Sequence, residues 1–157
     1  MSIIFYMSRI TPQTYERLIA GEPLEGPGSD EVSLEKSWDV LRRFLKHGHD
    51  RGSTRNLALA ISGGEQLDPN GDYGAPRALS PGLVAQIVHD LDGEDAPEER
   101  RQPFDEDEIR SIYEDVDQTG AYGAPDSVES GIEYFHILDA FYRRAAAAGD
   151  AVLIELC

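Results

Sequence analysis

Residues 128 to 156 constrain most strongly what this chain can fold into. Over 128 to 148, Ile132, Phe135, Ile137, Leu138, Phe141 and Tyr142 recur at helical spacing and give a long helix one inward side. Gly149 stops that helix, because glycine enters the left-handed conformation without a steric penalty. AVLIEL at 151 to 156 then reads as a strand. At the other end, IIFYMSRI at 3 to 10 is apolar and rich in β-branched and aromatic residues, which predicts a partly buried first strand.

Between these ends helices dominate. Thr11 and Pro12 open a short helix that stops at Gly21, followed by a loop rich in proline, glycine and acid. Leu34, Trp38, Leu41 and Leu45 step by four, three and four, which predicts a helix opening at Ser33 and ending at Gly48. Trp38 lies on its apolar stripe as a core residue, and Lys36 points to solvent. LALAIS at 57 to 62 is too short for periodicity to separate strand from helix. Residues 63 to 78 are mostly turn chemistry. Ser80 and Pro81 start a helix ending at Gly93, and Asp105 with Glu108 forms a capping-box-like start for another. The expected fold is α+β: four to five helices packed on a small mixed sheet formed by strands near both termini, in a single compact domain spanning residues 1 to 157.

The chain has 157 residues, 40% of them hydrophobic, which suits one domain with a sizeable core. Its formal charge of −16 argues against nucleic acid or an anionic membrane as partner, since both would repel it. No run approaches the length of a membrane span. The single cysteine, Cys157, permits no internal disulfide, so a cytoplasmic location is expected.

Several landmarks together resemble the bacterial YfbM-like family of unknown function. They are LEKSWDVLRRFL at 34 to 45, the Gly63-Gly64 turn, YGAPRALSPGLV at 73 to 84 and ILDAFYRRAAAAGDAVLIEL at 137 to 156. The resemblance implies a compact domain of mixed α and β structure and no established activity.

Candidate chemistry is sparse. Asp115, Asp117, Thr119, Gly120 and Asp126 occupy positions one, three, five, six and twelve of a calcium-type loop. The closing aspartate is shorter than the usual bidentate glutamate, and Pro125 and Tyr122 depart from the pattern. An acidic loop joining two helices is the simpler account of Asp115, Asp117, Thr119 and Asp126, with divalent-cation binding as the alternative. Asp68, Asn70 and Asp72 are explained by Asx turns, and His47 and His49 by the favourable end of a helix. No nucleophile elbow, metalloprotease motif or phosphate-binding glycine loop occurs, so a non-enzymatic protein without a cofactor is expected.

Arg77, after the Tyr73 turn, suits either a tie to loop carbonyls or an anion. From Asp92 to Asp117 twelve acids face only Arg100, Arg101 and Arg110, a local balance of −9. Either this run is a solvated face or it complements a basic protein. Arg77, Tyr73, Glu98, Glu99, Asp105 and Asp107 are therefore the candidate ligand- or partner-binding residues. The expected function is a binding module, one use of which is to neutralise a basic protein. The alternative is a cation- or ligand-binding protein, or a hydrolase, using the loops at 63 to 78 and 115 to 126.

Overall fold

In the computed structural model, which describes residues 4–24, 28–50, 57–68, 75–92, 106–115 and 128–157, the two terminal strands form the centre of the sheet. Strand β1 (Phe5–Ile10) pairs along its whole length with the antiparallel β5 (Ala151–Leu156), from Phe5 opposite Leu156 to Ile10 opposite Ala151. Outside β1 lies β2 (Ser29–Glu35), and outside β5 lie β4 (Arg77–Leu79) and β3 (Glu65–Gln66), giving the order β2-β1-β5-β4-β3. Every one of these pairings is antiparallel.

Strand side chains alternate between faces, so the sheet carries two separate apolar surfaces. Phe5, Met7, Leu79, Val152 and Ile154 join the main core, whereas Ile10, Ala151 and Leu153 join a smaller cluster on the opposite face. Helices α2 (Trp38–Asp50), α3 (Leu59–Ser62), α4 (Pro81–Asp92), α5 (Glu106–Asp115) and α6 (Val128–Ala148) supply the main core. Among the described helices α1 (Pro12–Ile19) covers the other face, through Tyr15 and Leu18, with Leu67 beside them.

An aromatic contact locks the helical layer. Phe44 of α2 stacks on Tyr113 of α5 at 4.3 Å between centroids and meets Phe135 of α6 edge-on at 5.3 Å. Gly131 admits this packing, since a Cβ there would lie 2.7 Å from the Tyr113 ring. At the end of α6, Gly149 (φ +70°) closes a Schellman turn: its N–H donates to the Ala146 carbonyl at 3.1 Å, and the Asp150 N–H donates to that of Ala145 at 2.9 Å. Beside this turn Arg144 bonds both oxygens of Asp30, at 2.7 and 3.2 Å, and Arg9 lies 3.5 Å from the same carboxylate. The hydrogen bond from Arg144, aided by the two positive charges and opposed by partial burial, holds the Asp30 carboxyl below its usual pKa.

Some segments differ from expectation. Residues 29 to 35 form strand β2, and the helix begins at Trp38 rather than at Ser33. Leu34 is fully buried and continues the stripe of Trp38, Leu41 and Leu45 only because the sheet brings it to the same core. The chain breaks away from the strand at Glu35, where φ is +49°, and the Ser37 N–H turns back to the Leu34 carbonyl. Residues 59 to 62 are helical, and the described residues form six helices and a five-stranded antiparallel sheet, so the expected single α+β domain holds, with one helix more and every strand pairing antiparallel. Strands β3 and β4, of two and three residues, are too short to show a period of two.

Candidate functional site

Two of the candidate binding and metal residues read from the sequence, Arg77 and Asp107, have described side chains. Arg77 is half-buried on β4; its Nε donates to the Gly63 carbonyl at 3.0 Å and its Nη2 to the Gly64 carbonyl at 2.8 Å. It therefore ties the corner between α3 and β3 to the sheet, the loop-carbonyl role open to it from the sequence. Gly64 sits at φ +86°, and a Cβ there would come 2.5 Å from the Ala78 carbonyl, so only glycine fits beneath the clasp. Asp107 lies on the exposed first turn of α5 beside Glu106. Arg110, one turn on, pairs with Glu106 at 3.5 Å and hydrogen-bonds Glu129 of α6, which lowers the Glu129 pKa. Tyr73, Glu98, Glu99, Asp105, Asp117, Thr119 and Asp126, and the side chain of Asp115, lie outside the described residues. Among the described residues no three His, Cys, Asp or Glu side chains gather as metal ligands.

Among the described residues a cleft lies elsewhere, on the face of the sheet that α1 covers. This cleft, of about 280 Å³, runs between α1, the turn after it, β5 and the segments flanking the β3–β4 pair. Its floor is apolar: Leu18 and Leu153 are almost fully buried there, and Leu67 packs beside them. Leu153 and Glu155 reach it together because alternate residues of β5 share a face, opposite to Val152 and Ile154. Glu22 is placed by the end of α1. Gly21 (φ +92°) donates to the Leu18 carbonyl and the Glu22 N–H to that of Arg17, both at 3.0 Å, a second Schellman turn. The Leu67 N–H donates to the Pro76 carbonyl at 2.9 Å, and the Gln66 amide holds the Asp68 carbonyl at 2.8 Å, which sets the opposite wall.

The charges of this cleft have one sign. Glu22, Asp68 and Glu155 line it, and among the described residues no basic side chain does. Arg17 meets Glu22 from outside at 3.1 Å, with both side chains about half exposed. In the adjoining cluster the Tyr15 hydroxyl is pushed above its usual pKa, by burial first and then by Glu65 and Glu16. Ile19 and Leu24, each 37% exposed, are the exposed large apolar side chains among the described residues, and Leu24 lines the cleft.

Residues 1–155 match a family described as a domain of unknown function, DUF1877. The chain belongs to this family. Among solved structures it is similar to YfbM from Escherichia coli, itself described as a protein of unknown function, at 19% identity and a TM-score of 0.61. That alignment covers 98% of this chain and 99% of the YfbM chain, so the whole fold is shared. No curated protein matches. The family match carries the fold and leaves the role of the cleft to its own chemistry. Sequence reasoning missed the cleft because its residues come from four separated segments; the available signals were the Leu153–Glu155 alternation and the Gly21 helix stop.

Proposed function

We propose that this domain is a non-enzymatic binding module whose partner is a basic protein that it neutralises. The carrying observation is the cleft over the α1 face, apolar below and bordered by Glu22, Asp68 and Glu155, with no basic lining residue among those described. The charge of −16 supports the reading, because a negative field accelerates encounter with a positive partner and repels acidic ones. The exposed Glu106 and Asp107 of α5 add to that field. The test is a tagged pull-down at low salt followed by elution at high salt, then reconstitution with the purified partner. A stoichiometric basic protein that rebinds, and is released as the screening length falls from about 10 Å at 0.1 M salt to about 3 Å at 1 M, is expected. Clean beads at low salt, or capture insensitive to salt, would refute the proposal.

A further inference from the structure

We infer that the cleft between α1 and β5 receives one arginine or lysine side chain carried on a segment of the partner protein. This rests on the binding-module reading and narrows it from a diffuse negative field to a single receptor. Lysine and arginine combine an aliphatic stem with a charged head. Lying along this cleft, the stem covers Leu18 and Leu153 while the head stays beside the carboxylates. The Glu155 carboxylate makes no ion pair or hydrogen bond among the described residues, and Glu22 has only the exposed pair with Arg17. Such an exposed pair is worth about 0 to 1 kcal/mol, so it yields readily to an incoming cation.

Size points to a side chain rather than a whole metabolite. The half-open cleft of about 280 Å³ lies at the small end of the roughly 300 to 1,000 Å³ of clefts that engulf small-molecule ligands, and it has room for one extended side chain. Leu24 at the rim of the cleft and Ile19 at the end of α1 then matter, because they carry apolar surface out to solvent. A free amine would leave them uncovered, whereas the neighbours of a basic residue in a polypeptide would cover them.

The experiment is fluorescence anisotropy on the full chain, with a labelled peptide of alternating arginine and leucine and a twin carrying citrulline in place of arginine. Citrulline keeps the shape and removes the charge. The arginine peptide should bind and the twin should bind at least about tenfold more weakly, the effect of losing one charge-assisted contact. Glu155→Gln, and Leu24→Arg at the exposed mouth, should each weaken the arginine peptide about tenfold. Glu133→Gln, exposed on α6 across the sheet, should leave it unchanged. Circular dichroism of each variant checks that the fold is kept. Equal weakening by Glu133→Gln and Glu155→Gln would overturn the receptor cleft and leave the diffuse binding module standing. Equal affinity for the citrulline twin would overturn the charge argument, and hexylamine binding as tightly as the peptide would overturn the polypeptide source. No binding of the arginine peptide at low salt would overturn this inference and the binding-module reading together.

Discussion

Two fully buried tyrosines should respond to loss of their hydroxyl with opposite signs. Tyr113 and Tyr142 are 1% and 0% exposed, and burial drives both hydroxyls far above the ordinary tyrosine pKa. Their partners differ. The Tyr142 hydroxyl donates to the Ala60 carbonyl and pins α3 to α6, whereas the Tyr113 hydroxyl is buried with no hydrogen-bond partner among the described residues. An unsatisfied buried polar group costs about 1 to 3 kcal/mol, and removing one member of a buried pair forfeits a similar amount. Tyr113→Phe keeps the ring on Phe44 and removes only the penalty, so it should stabilise by about 1 to 2 kcal/mol. Tyr142→Phe strands the Ala60 carbonyl and should destabilise by about the same. In a chain of this length each kcal/mol moves the melting temperature by about 2 to 4 °C, so calorimetry should find the two variants displaced in opposite directions from wild type. Urea midpoints should separate the same way with unchanged slopes. Destabilisation by Tyr113→Phe would refute the reasoning, since it would mean that the hydroxyl is satisfied in solution. The pH dependence follows from the same groups. Each folded-state pKa lies above the unfolded value of about 10, so these groups leave folding stability independent of pH below 10 and lower it as pH rises beyond. Either phenylalanine variant should therefore show a shallower alkaline decline.

Gly131→Ala should destabilise despite its better helix propensity, because a Cβ 2.7 Å from the Tyr113 ring costs about 1 to 3 kcal/mol against a propensity gain of about 1; a raised melting temperature would contradict this. Asp30→Asn keeps a residue that tolerates φ +52° while removing the charge opposite Arg144 and Arg9. It should lose about 0.5 to 1 kcal/mol at neutral pH, discounted for partial exposure. Because the folded pKa is lowered, that contribution is present above the ordinary carboxyl range and vanishes as pH falls through the folded value, so denaturation curves of mutant and wild type should converge as pH falls below that range. Calcium and a chelator should give equal melting temperatures if residues 115 to 126 simply connect two helices; a calcium-dependent rise abolished by Asp115→Ala would instead make that loop a cation site.

Much of the architecture is written in local sequence. The bounds of α6 and β5 were legible because a 3.6-residue apolar period, a glycine and an uninterrupted apolar run follow one another, and each depends only on near neighbours. The start of α4 was legible in the same way, since the Ser80 hydroxyl accepts from the Leu83 N–H one turn on. Arg77 was legible in part: its place after a turn suggested a tie to loop carbonyls, and the chain bend at Gly63 and Gly64 supplied them. What tertiary structure alone decided is where distant segments meet. Leu34 reads as helical because it points at the core that Trp38 and Leu41 also reach, and only pairing with β1 makes its backbone a strand. The cleft exists because β5 sets Leu153 and Glu155 beneath the end of α1, with Leu67 and Asp68 opposite; no local pattern records that meeting, since it is fixed by strand order and not by spacing along the chain.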